Sequence, residues 1–150
     1  MLDSIYNQRI LELAGDIPNI GRLPAPDGRA SAHSKLCGST ISVELALKEG
    51  CVVDFAQELR ACALGQASAS IVARNIVGSS ADELRALRDA MRKMLKDNGA
   101  PPAGKWADLA ILEPVRDYKA RHASTLLVFD AVVAALDDAN SAGAGKSGAV

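Results

Sequence analysis

Three cysteines and two histidines are the side chains of this 150-residue chain best suited to metal or sulfur chemistry. Cys37 stands just before an alternating apolar run, Cys62 closes a second run where a small-residue stretch begins, and Cys51 lies between them. An antiparallel hairpin folds the residue preceding its first strand back towards the residue following its second, so the topology predicts that Cys37 and Cys62 converge. A thiol at a helix N-terminus faces unpaired N–H groups and the positive end of the helix dipole, which favours the thiolate that ligates metal or attacks sulfur. Cys62 is the better nucleophile on that ground. Free cysteine is also among the most buried residue types, so a pair of small core residues is the competing reading. Cys51 sits beside the hairpin turn without a sequence partner and is read as a spectator. His33, shortly before Cys37, and His122, in the basic stretch with Lys119 and Arg121, are candidate imidazole ligands whose ordinary alternative is a satisfied polar residue.

The elements that must position these groups follow from periodicity. Ile41, Val43, Leu45 and Leu47 alternate with Ser42, Glu44, Ala46 and Lys48, the period of a strand with one buried face. Glu49-Gly50 breaks that pattern, and Val53, Phe55 and Leu59 follow in a second strand that ends near Cys62. Leu64, Ala67, Ile71, Val72 and Ile76 fall on one helical stripe over 63–77, closed by Gly78. Ser80 with Glu83 has the spacing of a capping box, after which Leu84, Leu87, Met91 and Leu95 recur at helical spacing up to Asn98-Gly99. Upstream, Leu2, Ile5, Ile10 and Leu13 predict a short amphipathic helix, and the Pro-, Gly- and Asp-rich segment 17–34 reads as a loop. Downstream, residues 106–112 suit a turn or two of helix before Pro114, and Leu126, Phe129, Val133 and Leu136 mark a last helix beginning near Tyr118 or Ser124. A Gly/Ala/Ser segment, 141–150, reads as a disordered tail behind a single domain over 1–140. Helix, hairpin and several helices make an α+β fold, with helices packed on a small antiparallel sheet.

Composition narrows the function. The 17 Lys and Arg against 18 Asp and Glu leave a formal charge of −1, which argues against a nucleic-acid binder. The chain shows neither an apolar run of spanning length nor a secretory leader, so the expectation is a cytoplasmic protein without membrane association. An odd number of cysteines in that setting implies reduced thiols rather than disulfides. No P-loop, dinucleotide fingerprint, zinc-protease helix or nucleophile elbow occurs, and no conventional enzyme is expected.

Four segments resemble one known family, the U-type iron–sulfur cluster scaffold proteins, comprising the NifU N-terminal domain and its IscU and SufU relatives. Ile5-Tyr6-Asn7 through Ile10 with Pro18-Asn19-Ile20-Gly21 resembles the family's opening helix and loop; Cys37-Gly38 before an alternating strand resembles its first cysteine motif. Cys62-Ala63-Leu64-Gly65-Gln66-Ala67-Ser68-Ala69-Ser70 resembles the second, and the helix from Ser124 to Leu136 is similar to the last. The resemblance implies that Cys37 and Cys62 hold a nascent cluster, of [2Fe-2S] type, or iron, with zinc as the alternative ion. It further implies a cysteine desulfurase as sulfur donor, downstream iron–sulfur acceptor proteins as recipients, and a monomer or weak homodimer. Two departures stand out. Ser39 occupies the position of the family's aspartate, and Ser124 aligns with its third cysteine, which leaves His122 as first and Ser124 as second substitute ligand. Three functions follow from this: a scaffold that binds iron or a nascent cluster transiently and passes it on, an adaptor of the same fold that has lost its cluster, and a sulfur acceptor carrying a persulfide on Cys62.

Overall fold

The computed structural model describes residues 7–35 and 38–149, with side chains described as far as residue 141. The expected positions Leu2, Ile5, Tyr6 and Cys37 lie outside the described residues. The chain runs α1 (Gln8–Gly15), β1 (Gly28–His33), β2 (Thr40–Lys48), β3 (Cys51–Arg60), α2 (Ala63–Asn75), α3 (Ala81–Lys96), a 3-10 segment (Gly104–Asp117), a 3-10 turn (Lys119–Arg121) and α4 (His122–Ala149). The three strands form an antiparallel sheet in the order β1-β2-β3.

The β2–β3 hairpin turns on the two residues read as its breaker. Glu49 and Gly50 both have positive φ, 55° and 80°, the conformation that lets a two-residue turn match the twist of its strands. Register then sorts the sheet into two faces. Ala32, Ile41 and Leu59 form one cross-strand row, Ala30, Val43 and Gln57 the next, and Gly28, Leu45 and Phe55 the third, all turned to the core. The opposite rows, His33–Thr40–Arg60 and Ser31–Ser42–Glu58, are exposed and polar.

β1 is the element that the sequence reading missed. The segment 17–34 was expected to be a loop, because Pro24, Pro26 and Gly28 interrupt any period. Only its last third pairs, and it does so through tertiary contacts. Gly28 packs against α4 so closely that a Cβ there would clash with the Ala135 carbonyl and meet the Ala139 Cβ at 2.9 Å. Asp138 on α4 accepts the outward N–H of Arg29 at 3.0 Å, capping an edge group that no strand covers. The first part of the segment is also ordered by the sheet. Gln57 N–H donates to the Asn19 carbonyl and Gly21 N–H to the Gln57 carbonyl, both at 2.9 Å, so 19–21 lie along the β3 edge. Glu44, on the outer face of β2, accepts from Leu23 N–H at 2.8 Å and from Arg22 at 3.1 Å.

α4 crosses the inner face of β1 and β2, α1 packs on α2, and α2 and α3 flank α4. α2 fits this crowded position because Ala67, Ser68, Ala69, Ser70 and Ala73 are all buried. Ser68 returns its hydroxyl to the Leu64 carbonyl, and Ser70 donates to the Asp16 carbonyl at the end of α1. The capping box at α3 is half formed. Glu83 N–H donates to Ser80 Oγ at 3.1 Å, whereas the Glu83 carboxylate turns outward to accept from Trp106 Nε1 at 2.9 Å and pair with Lys105 at 3.4 Å. That staples the 3-10 segment, with Pro114 inside it, onto α3. It is longer than the expected turn or two. α4 starts at His122, between the two starts expected, and its backbone stays helical into the Gly/Ala/Ser segment. Among the described residues no helix is long and apolar enough to cross a membrane.

Candidate functional site

Cys62 is the N-cap residue of α2. Its backbone is extended, with φ −68° and ψ 171°, its carbonyl accepts the Gln66 N–H at 2.9 Å, and its side chain makes no capping bond. The thiol is therefore left for another partner, and the structure supplies Ser124. Cys62 Sγ donates to Ser124 Oγ at 3.3 Å, and Ser124 Oγ donates onward to the Arg121 carbonyl at 3.2 Å. Thr125 Oγ1 donates to the same carbonyl at 2.8 Å. If Ser124 rotates to donate to a thiolate, Arg121 keeps a donor and no buried carbonyl is orphaned. The approach of α2 to the start of α4 depends on a missing side chain. A Cβ on Gly65 would lie 2.9 Å from Ala61 Cβ and 3.1 Å from the Ser124 carbonyl.

The thiol is half-buried and opens on a cavity of about 330 Å³ lined by Gly38, Ser39, Arg60, Ala61, Cys62 and Arg121. Gly38, the neighbour of Cys37 in sequence, thus reaches the same cavity as Cys62, through the turn in which Ser34 N–H donates to the Ser39 carbonyl at 2.8 Å. Ser39 is buried at its wall. Arg60 and Arg121 give the cavity two cations and no carboxylate. An anionic group held by thiolates suits that lining.

Of the residues singled out in the sequence, the structure brings Cys62, Ser39 and Ser124 together and leaves His122 apart. His122 is buried, and its Nε2 faces the carbonyls of Val115 at 3.0 Å and Arg116 at 3.1 Å. Carbonyls only accept, so that nitrogen carries the proton and is not a ligand. His122 lines a different cavity, with Lys96, Arg116 and Lys119. Of the two substitute ligands expected, Ser124 is the one whose side chain meets the Cys62 thiol. His33 ends β1 and lines a third cavity; Cys51 pairs across from Lys48 at the hairpin and bridges to Ser80. Among the described residues no group of three or more His, Cys, Asp or Glu side chains is clustered for a metal ion. The sequence reading passed over Arg60 and took Arg121 only as part of the basic stretch beside His122, although both flank its own motifs and their charge was the available signal.

The fold is thus of the α+β class, a small three-stranded antiparallel sheet under helices, with a cysteine at the mouth of a small-residue helix. Residues 5–125 match the NifU-like N-terminal domain, and the chain belongs to that family. It is 26% identical over 132 residues, 88% of this chain and 92% of its relative, to the iron–sulfur cluster assembly scaffold protein IscU of Thermotoga maritima. Among solved structures it is similar to a nitrogen-fixing NifU-like protein (N-terminal) from Brucella abortus, with 59% identity, a TM-score of 0.91, and coverage of 93% of this chain and 97% of that one. The putative SUF-system scaffold SufU of Fervidobacterium islandicum, 19% identical, shares the fold with a TM-score of 0.82 over 89% of this chain and 98% of its own.

Proposed function

We propose that this chain is an iron–sulfur cluster assembly scaffold whose domain, residues 1–140, holds iron or a nascent [2Fe-2S] cluster transiently through Cys37 and Cys62 and passes it on. The scaffold role is the family's and is not enzymatic. The observation that carries the reading is the placement of Cys62 at the N-terminus of α2, on an open cavity whose other charges are Arg60 and Arg121. A cluster held by thiolates is anionic, and both arginines and the α2 N-terminus stabilise it electrostatically. An open site with few protein ligands releases its cargo, whereas a closed four-ligand site retains it. Ser124 is a weak ligand but a good hydrogen-bond donor, so its fitting role is to hold Cys62 in place. A cysteine desulfurase is the expected sulfur source, and iron–sulfur acceptor proteins are the expected recipients.

The test is iron and acid-labile sulfide content, with a visible spectrum, on tag-free protein purified without oxygen. Iron and sulfide with charge-transfer absorption are expected, and both are lost in Cys37→Ala and in Cys62→Ala with the fold intact. If both variants bind metal as the parent does, the proposal fails. Zinc without sulfide would identify a structural or regulatory site instead. The hydroxyl of Ser39 at the cavity wall and that of Ser124 against the Cys62 thiol, where the family's aspartate and third cysteine would stand, favour a second reading, an adaptor that has kept the fold and lost the cluster. No metal after reconstitution with a desulfurase, together with a stable complex formed by the variant lacking both thiols, would establish it. A mass increase on Cys62 alone, after incubation with a desulfurase and cysteine, would mark a persulfide acceptor.

A further inference from the structure

The thiol cavity is short of ligands for its cargo. A [2Fe-2S] cluster is held by four thiolates, and Cys37 and Cys62 supply half of that set. Nothing else among the described residues makes up the difference. Cys51 opens β3 and Cys62 follows its last residue, so the length of a strand separates them. His122 turns its Nε2 to two carbonyls, and His33 lines another cavity. Ser39 and Ser124 bring hydroxyls, and no acidic side chain lines the thiol cavity. The same cavity has cations to spare. Arg60 and Arg121 both line it, and among the described residues neither guanidinium has an ion pair or a hydrogen-bond partner. Arg121 is half-buried, which costs solvation that a bound anion returns.

We propose, resting on the scaffold reading, that the ligand set is completed from solution by small thiols that carry carboxylates. The sulfur of each binds iron as the thiolate, its proton passing to solvent and no electron changing hands, while its carboxylate pairs with Arg60 or Arg121. A guanidinium donates two parallel N–H bonds to a carboxylate, a match that single cluster sulfurs do not offer. Two other donors fit less well. A second copy of this chain would bring its own Arg60 and Arg121 to the cavity mouth, two more cations without a carboxylate. A cysteine on a partner protein needs a surface to pack on, and the lining of Gly38, Ser39, Ala61 and the two arginines beside Cys62 offers no large apolar side chain. A small acidic molecule suits an open cavity of about 330 Å³ whose walls are small and cationic. Ligands that exchange with solution also leave the cargo free to depart, as transfer requires.

The test reconstitutes the full chain with iron and sulfide, without oxygen, over a range of concentrations of one small thiol. Mercaptosuccinate, a dicarboxylate, is compared with cysteamine, an amine. The readouts are the native mass of the loaded chain and its iron and sulfide content. A loaded monomer whose mass includes both the cluster and added thiol is expected, half-loaded at a mercaptosuccinate concentration about tenfold below that of cysteamine. Arg60→Gln and Arg121→Gln should each raise the mercaptosuccinate concentration by about fivefold and leave that of cysteamine no higher. Arg85→Gln, whose parent side chain pairs with Asp137 far along α4, should change neither. If Arg121→Gln does not fold, Arg60→Gln and the comparison of the two thiols on the parent carry the test. Loading that needs no thiol, or equal half-loading with both thiols, overturns the proposal and leaves the scaffold reading standing. A loaded mass of two chains without added thiol also overturns it, and assigns the missing ligands to a second copy. No cluster with either thiol overturns both readings.

Discussion

Gly65 shows how a single missing methyl group decides the chemistry at Cys62. In a helix, alanine is better than glycine by about 1 kcal/mol, so propensity alone predicts that Gly65→Ala stabilises. The added Cβ would meet Ala61 Cβ at 2.9 Å and the Ser124 carbonyl at 3.1 Å, and the latter is backbone that cannot rotate away. Overpacking of this kind costs about 1–3 kcal/mol, so the net expectation is a loss of about 1 kcal/mol in urea denaturation. A gain would mean that α2 and α4 do not meet there. Glu44 makes a second residue-scale case. The Leu23 N–H bond first, and Arg22 second, hold its carboxyl below its ordinary value against the opposing effect of burial. The folded value is depressed, so its contribution is complete above the ordinary carboxylate range and is lost as pH falls through the folded value. Glu44→Gln should cost about 1–3 kcal/mol at neutral pH, towards the lower end because Arg22 is largely exposed. The difference from the parent should close on acidification; a constant difference across pH would show that the charge is not what binds the 21–23 loop to β2.

At the scale of elements, β1 is held by α4 as much as by β2. Gly28 lies where the strand touches the helix backbone, and Asp138 reaches back from α4 to cap Arg29. Gly28→Ala must separate strand and helix, because its obstacle is the Ala135 carbonyl rather than a flexible side chain. The expected loss is about 3 kcal/mol, at the upper end for overpacking, seen as a lower denaturant midpoint at unchanged slope. A neutral result would place β1 further from α4 than described. The same logic explains the Glu83 carboxylate. It serves Trp106 and Lys105 instead of closing its capping box, because joining two elements outweighs a second bond within one turn.

At the scale of the molecule, one end of the fold gathers the thiol and the two arginines beside it. The Cys62 cavity lies at the start of α4, and the polar outer face of the sheet runs up to Arg60 at the cavity mouth. The rest of the fold is built on a packed, largely aliphatic core reaching from Ile10 to Leu136, with Phe55, Trp106 and Phe129 within it. Among the described residues, the last contacts that tie α4 to the sheet are those of Asp138 and Ala139. A chain ending at Asn140 should therefore unfold cooperatively within about 2 °C of the full chain by calorimetry. A larger drop would show that residues 141–150 contribute to the core.

Periodicity settled what is local. The β2–β3 hairpin with its Glu49-Gly50 turn, the α2 stripe, α3 with its Ser80 cap, and Cys62 at a helix N-terminus were all legible, because each depends on neighbours within a few residues. Tertiary structure decided the remainder. β1 has no periodic signature and exists because β2 and α4 offer it partners. The preference for Ser124 over His122 at the thiol was invisible, since both open the same helix. It is settled by two carbonyls of the 3-10 segment that claim the imidazole, and by a glycine on α2 that lets Ser124 close on Cys62.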